Sequence, residues 1–506
     1  MSERPRIVLT GAAGFLGRRL LRRLRSTHHV IAIDRQPRAD PDFSDHPNVE
    51  WHPIDLADPG AVEETFDAIG RGGGAEYLVH LAAWYDFTGQ AHPEYERTNV
   101  EGTRLVLERA EGLGLRLFVF ASSVAACGFS SPGRPITEDT PPHGEHVYAA
   151  TKRKGEEMLR ERARRLRSCI VRFAALYSDW SEYPPLHAFL ETWLSSRWNA
   201  RILGGAGASA VPFLHVRDAA SFVLRALERA DDLEPAGVLL ASPDGAVTHR
   251  ELFEAATSYR FGAPRAPLMV PKALARVGMW GRDLAGRVRG ERPFEQPWMA
   301  DYIDTRMEVD ASRTRRRLGW APRARLEILN RIPFIVENRE TDPMEWYRRN
   351  REALAHLELR PSFRVYRLLL KHGEEIARRY AGELSGEGGG AGMPGYGRLP
   401  ADEREWIARL AVHNLAQAVR AGEKRSFMSY CRDFAERRAQ QGFRVAEVVH
   451  AIRSLERICL ETLKRDPEAA GLDRAMRDYV SMTLEFGIDQ VIEAYEDAAA
   501  GSGANG

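Results

Sequence analysis

Tyr148 and Lys152 stand four residues apart in the stretch Tyr148-Ala149-Ala150-Thr151-Lys152-Arg153-Lys154-Gly155-Glu156-Glu157, whose composition predicts a helix. On a helix that spacing puts both side chains on one face. An ammonium beside a phenol favours the phenolate and is expected to lower the tyrosine pKa toward working pH, which proton transfer at a substrate oxygen requires. Upstream, Ser122 and Ser123 end the apolar run Leu117-Phe118-Val119-Phe120. That is the edge at which a parallel sheet presents its ligand. A hydroxyl there can orient and polarise a carbonyl or an alcohol.

A second group of residues suits a diphosphate. Gly11-Ala12-Ala13-Gly14-Phe15-Leu16-Gly17 follows a first apolar strand and opens a segment with a helical stripe through Leu20, Leu21 and Leu24. Gly11 suits the tight turn, Gly14 the close approach of backbone to a pyrophosphate, and Gly17 close packing of helix on strand. The helix N-terminus adds free N–H groups and a positive dipole end. The second strand, Val30-Ile31-Ala32-Ile33, ends in Asp34, whose carboxylate can accept from both ribose hydroxyls and would repel a 2′-phosphate. NAD is therefore expected, with NADP kept open by Arg35 and Arg18. Asp55 and Leu56 are placed either to meet the adenine or, for Asp55, to cap a helix.

These residues need a scaffold. Arg6 to Thr10, His29 to Asp34, Tyr77 to Ala82, Leu117 to Ser122, Cys169 to Phe173 and Val238 to Ala241 look like strands separated by amphipathic helices. That alternation predicts an α/β fold, a Rossmann-type doubly wound parallel sheet. A less regular segment within 180–330, rich in Trp, Pro and Gly, is expected to build a small substrate lobe. From Gly382 to Gly397 half the residues are glycine, which predicts a flexible loop. Helical stripes flank it, through Ile407, Leu410, Ala411, Asn414, Ala418 and Val419 and again through Val445, Val448, Val449, Ile452, Leu455, Cys459 and Leu463. The expected organisation is a nucleotide-binding domain over 1–335, a linker over 336–361, an all-α C-terminal domain over 362–498 and a disordered tail over 499–506.

In chain order, TGAAGFLG, Asp34, Asp55-Leu56, His80-Leu81-Ala82-Ala83, Asn99 within TNVEGT, SSVAACG, YAATK and LHVRDAA around His215 and Asp218 resemble the extended short-chain dehydrogenase/reductase family, which includes the NAD-dependent epimerases and dehydratases. The resemblance spans about the first 330 residues. It implies that Ser123 rather than Ser122 is the catalytic serine, that Tyr148 donates or accepts the proton, and that Lys152 also holds the nicotinamide ribose. Asn99 would support the active-site helix. The cofactor site implied comprises Gly11, Gly14, Phe15, Leu16, Gly17, Asp34, Arg35, Asp55, Leu56, Leu81, Ala82, Ala83, Asn99, Tyr148, Lys152 and Ala174. Nucleotide-sugar members usually carry an asparagine and an arginine where this chain has Ala175 and Val211. The candidate substrate wall is aromatic instead: Trp84, Tyr85 and Phe87, then Trp180, Tyr183 and Trp193, with Trp84, Tyr85, Ser123 and Trp180 the expected substrate residues. They could equally be lobe core.

The reaction expected is hydride transfer between nicotinamide and a carbinol or carbonyl carbon. Epimerisation or dehydration of a sugar is the alternative within the enzymes, and a dinucleotide sensor the alternative outside them. The C-terminal domain resembles the RsbRD-type N-terminal domain of RsbT co-antagonist proteins, on Arg437-Arg438-Ala439-Gln440-Gln441-Gly442-Phe443 before a long amphipathic segment. That likeness implies a regulatory or dimerising module, and hence a homo-oligomer with room for a protein partner.

Bulk properties narrow the partners. Over 506 residues the formal net charge is +1, which supplies no general field for nucleic acid or an anionic membrane. The four cysteines form no zinc-binding spacing, so no metal is expected. No signal-peptide layout and no apolar run of membrane-spanning length are present, so the expected location is cytoplasmic. Leu268 to Val288, interrupted by Lys272, Arg276, Arg282 and Asp283, is expected to be a helical lid over the cleft; at most it could lie along a surface.

Overall fold

The structure is a computed structural model that describes the chain apart from residues 1–3, 37–45, 87–88, 90, 290–295, 343–344, 347, 351–360, 387–392, 422–423 and 504–506, and apart from the side chains of 285–289, 421 and 499–503. The chain divides into two compact units, the first made mainly of residues up to 356 and the second mainly of residues from 357 onward.

The first unit is built on seven strands: β1 (Arg6–Thr10), β2 (His29–Asp34), β3 (Val49–Pro53), β4 (Tyr77–His80), β5 (Leu117–Ser123), β6 (Ser168–Phe173) and β7 (Gly237–Ala241). They pair in parallel in the order β7-β6-β5-β4-β1-β2-β3. Alternation along β1 explains the layers. Ile7 and Leu9 pack into the core on one face, with Leu16, Leu20 and Leu24 of α1 (Phe15–Leu24). Val8 packs on the other, with Val62 and Phe66 of α2 (Pro59–Arg71). A sheet covered on both faces needs apolar residues at every strand position, and β1, β2 and β5 supply them. Because β1 pairs with β2 on one side and β4 on the other, the strand order reverses there. Ligands in such sheets bind at the carboxyl ends of the strands beside that reversal.

The small lobe has its own core of Tyr177, Leu186, Trp193, Phe253, Ile332 and Trp346. The helix Ile328–Thr341 belongs to it. The amide of Asn350 donates to Trp180 O at 2.8 Å. The stretch expected as a linker over 336–361 therefore begins as packed structure.

The second unit is helical: Pro361–Lys371, Gly373–Ser385, Ala401–Ala421, Arg425–Gln440, Val445–Lys464 and Met482–Gly503 are its long elements. The last helix runs into the tail expected to be disordered, because Leu484, Ile488, Val491 and Ala494 keep a buried stripe. Within the glycine-rich stretch, residues up to Ser385 are helical, Pro394–Gly397 form one helical turn, and 387–392 lie outside the described residues. No described helix is long and apolar enough to cross a membrane.

Candidate active site

The glycine turn joins β1 to α1. Gly11 has φ +68°, and a Cβ there would stand 2.8 Å from Ala82 N; a Cβ on Gly17 would overlap the Gly11 carbonyl oxygen. Both positions therefore exclude side chains. Gly14 caps α1 without any side-chain hydrogen bond to its first turn, so those N–H groups remain to meet an anion. At the end of β2, Asp34 accepts from Ala13 N at 2.9 Å and Gln36 N at 3.0 Å. Those bonds brace the turn and leave carboxylate lone pairs over. The fit to a dinucleotide is good at this end.

A cavity of about 960 Å³ opens beside it, and Gly11, Gly14, Phe15, Leu16, Gly17, Leu81, Ala83, Ser123, Tyr148, Lys152 and Ala174 all line it. Asp34, Arg35, Asp55, Leu56, Ala82 and Asn99 are not in its wall. Arg35 is paired with Glu94 at 3.1 Å. Asp55 accepts from Ala57 N and pairs with Arg97 at 2.7 Å. The helix cap is Asp58, not Asp55. Leu56 is buried in the core, and Ala82 packs against that core, so contact of Leu56 with adenine is not what the packing favours.

The catalytic candidates converge from two elements. The cap of the helix α3 (Val147–Glu161) is His146, and Tyr148 and Lys152 occupy the first turns of α3. Lys152 Nζ donates to Ala121 O at 2.7 Å and lies 5.6 Å from the Tyr148 ring centroid. Thr151 Oγ1 donates to Tyr148 O at 2.8 Å, and Asn99 Nδ2 donates to Thr151 Oγ1 at 3.2 Å and to Trp84 O at 2.9 Å. Asn99 thus ties the helix to the loop after β4. The two serines are distinguished by their partners. Ser122 Oγ donates to buried Glu156 at 2.6 Å, and Glu156 is held bidentately by buried Arg172, at 2.9 and 2.8 Å. Both serines stand in the cavity wall, but Ser123 accepts only a local bond, from Ala125 N at 3.2 Å.

Electrostatics correct one expectation. Burial raises the Tyr148 pKa well above that of a free phenol, with Tyr95 and Tyr183 adding to it. Any lowering by Lys152, whose ammonium is anchored on Ala121 O 5.6 Å from the ring, is outweighed by burial. Burial pushes Lys152 itself down to about 8, opposed by Glu156. His80, enclosed at the end of β4, is pushed down to about 3 by burial and then by Lys152. Its Nδ1 and Nε2 meet Thr10 Oγ1 at 2.8 Å and Thr103 Oγ1 at 3.1 Å. That clasp was not read from the sequence; His80 sits within an apolar strand, which was the available signal. Glu156 was missed too, although it lies one turn after Lys152 on the same helix.

The aromatic wall is partly as expected. Tyr85 lines the cavity and its ring meets that of Tyr148 edge-on, 4.6 Å between centroids; Tyr183 and Trp193 line it as well. Trp84 and Trp180 do not. Trp84 packs on His92 and Tyr95, at 4.3 and 4.6 Å, and Trp180 packs on the lobe core. Phe87 lies outside the described residues. Ala175 and Val211 both line the cavity. The turn before Tyr183 carries two residues in the left-handed region, Ser181 at φ 70° and Glu182 at φ 55°, a strained conformation of the sort concentrated at functional sites. Asn350 and Ser178 clamp it through Glu182. His215 and Asp218 serve structure: His215 contacts Asp179 at 3.3 Å, and Asp218 receives Arg323 at 2.6 Å.

Comparison with known proteins agrees with this arrangement. Residues 7–240 match the NAD dependent epimerase/dehydratase family, and residues 374–504 match the RsbT co-antagonist protein rsbRD N-terminal domain. Human 3 beta-hydroxysteroid dehydrogenase type 7 is 28% identical over 193 residues, 34% of this chain and 50% of the human protein. Uronate dehydrogenase of Pseudomonas syringae pv. tomato is 29% identical over 153 residues, 30% of this chain and 52% of that enzyme. The chain spans about half the length of these curated relatives. Two solved structures share the fold: UDP-glucose 4-epimerase of Thermotoga maritima, with TM-score 0.50, 21% identity and coverage of 66% of this chain and 97% of that one, and dTDP-glucose 4,6-dehydratase of Streptomyces venezuelae, with TM-score 0.50, 21% identity and coverage of 69% and 98%. The N-terminal region of this chain thus carries a domain that matches the NAD dependent epimerase/dehydratase family, and its C-terminal region carries one that matches the rsbRD N-terminal type.

Proposed function

We propose that the N-terminal region is an NAD-dependent oxidoreductase acting on an alcohol or ketone with a bulky apolar body. One observation carries the reading: Ser123, Tyr148 and Lys152 share a cavity with the glycine turn, and its far wall is apolar at Ala175 and Val211 and aromatic at Tyr85, Phe189, Trp193 and Phe213. At Ala175 and Val211 a sugar nucleotide would meet no amide or guanidinium, although Asn199 and Arg282 line the cavity elsewhere, whereas an apolar body gains from burial there. The human relative is named a hydroxysteroid dehydrogenase, which supports the same class.

Bound NAD supplies hydride acceptance or, reduced, hydride donation. The chain supplies the rest. The Tyr148 hydroxyl gives a proton to, or takes it from, the substrate oxygen. Its raised pKa suits the protonated, donating form until the liganded site adds positive charge. Ser123 Oγ hydrogen-bonds the same oxygen and fixes its direction. Lys152, anchored on Ala121 O, holds ribose hydroxyls and adds the ammonium's field to the phenol. Gly11, Gly14 and Gly17 with the first turn of α1 hold the diphosphate, and Asp34 the adenosine ribose. The apolar wall excludes water. The setting we infer is the cytoplasm, in keeping with four free, buried cysteines.

A panel of alicyclic and aliphatic alcohols and ketones, followed by nicotinamide absorbance, tests this. Tyr148→Phe should lower turnover by about 10²–10⁴-fold while leaving the NAD dissociation constant nearly unchanged. Retained turnover would remove Tyr148 from its role; exclusive activity on sugar nucleotides would replace the substrate class.

A further inference from the structure

The helix Lys272–Arg289 is apolar on two opposite faces. Leu274, Ala275, Gly278, Met279 and Arg282 line the cavity. Val277, Trp280 and Leu284, spaced by three and four residues, share the opposite side. They are 69%, 58% and 66% exposed, and Leu268 in the strand just before adds 52%. Lid duty explains the inner face and leaves the outer one unexplained, since a helix serving only as a lid would carry polar residues outside. Trp198, 79% exposed, adds a further ring to the cavity's rim.

We propose that this outer face docks on an anionic lipid surface. Charge selects that occupant. Lys272 and Arg276 are exposed beside this face, whereas the only acid of the helix, Asp283, is buried. Lys272 and Arg276 do meet Asp301, the lysine at its carbonyl and the arginine at its carboxylate, but Arg276 remains half exposed there. Two copies pairing through this face would set two cationic helices side by side, which like-charge repulsion opposes; an anionic headgroup layer would instead attract each. Trp280 suits the boundary between headgroup and acyl chain. The same short helix then separates the lipid surface from the cavity, so an apolar substrate could pass from one to the other beside Leu274 without crossing water. The helix is interrupted by too many charges to span a bilayer. The docking stands on exposure and charge, independent of which alcohol or ketone the enzyme turns over.

Flotation of the full-length protein with phosphatidylcholine vesicles, with and without phosphatidylglycerol, tests the proposal. The protein should float with the anionic vesicles, less so as salt is raised, and remain behind with phosphatidylcholine alone. The double substitution Val277→Glu, Trp280→Glu should cut the bound fraction at least about tenfold. NAD binding, measured on the same variant, should be unchanged, which separates lost docking from lost folding. No flotation with either vesicle overturns the proposal, as does flotation that ignores the substitutions or the anionic lipid. A self-association in sedimentation that disappears in the double variant, without vesicle binding, assigns the face to a second copy instead.

Discussion

The two regions use their signature residues in opposite ways. In the N-terminal unit, Gly14, Ser123, Tyr148 and Lys152 present atoms to a cavity. In the C-terminal unit, Arg438 and Phe443 of the stretch that carries the family likeness are used in packing, while Arg437, Gln440, Gln441 and Gly442 are exposed. Arg438 is buried among the rings of Phe434, Phe443 and Tyr396, at 5.0, 5.1 and 5.8 Å, and pairs with Glu403 at 3.3 Å. Glu447 accepts from Gly395 N at 3.1 Å and so seats the turn Pro394–Gly397. The N-terminal motifs line a cavity, whereas Arg438 and Phe443 form a structural joint. Motif strength alone does not tell the two apart; the direction of the side chains does.

Stability should follow the same contrast. Glu156→Ala leaves Arg172 buried without its carboxylate and Ser122 without its acceptor, so it should lower the stability of the N-terminal unit by about 3–5 kcal/mol. Arg438→Met keeps most of the apolar packing and removes a half-satisfied ion pair, and its cost to the C-terminal unit should be nearer 1–2 kcal/mol. Denaturant melts that resolve both units check this; equal losses would erase the distinction. NAD binding should survive Arg438→Met.

Asp34→Ala should come next in size. It removes the acceptor at the end of β2 and the brace on Ala13, and should shift the NAD-to-NADP affinity ratio toward NADP by about tenfold or more. A protein that already prefers NADP would instead assign the selection to Arg18, since Arg35 is held by Glu94.

A pH titration probes Lys152. Its pKa is lowered to about 8 by burial, so the ammonium is present below that pH and is lost as pH rises through it. If the ammonium holds ribose, NAD affinity should fall by up to about tenfold between pH 7 and about pH 9. The fall should be absent in Lys152→Met, whose affinity is low throughout. A flat profile in the parent would show that the amine binds as well neutral as charged.

The smallest effect expected is from deletion. Residues 1–356 should fold and bind NAD with an unchanged dissociation constant, because every residue in the cavity wall lies before that point. A cut near 340 should do worse, since it removes Trp346 from the lobe core and Asn350 from Trp180 and Glu182. We further propose that the helical unit contributes to self-association, which sedimentation of the two forms would show.

Much of the site was legible in the chain itself, because parallel strands buried on both faces must be apolar throughout and their ends are the places where glycine, serine and aspartate stand out. Gly11, Gly17, Asp34 and the Ser122–Ser123 pair stand out that way, as do the strands that carry them; Tyr148 and Lys152 stand out by their helical spacing, and the choice of Ser123 over Ser122 rests on the family resemblance. Periodicity likewise marked the C-terminal region as helical. What the tertiary structure alone decided was orientation. Trp84 and Tyr85 are adjacent in sequence, yet only Tyr85 faces the cavity, since Asn99 fixes the backbone of Trp84 at N and O. Ser122 and Ser123 are told apart here by a carboxylate from another element, Glu156. The Tyr148 pKa moves up because of what encloses the ring, and the lid helix reveals a second apolar face only once the cavity shows which side is inside. Composition and spacing follow from the chain, whereas the sign of an electrostatic shift and the direction of a side chain depend on neighbours that folding brings from elsewhere.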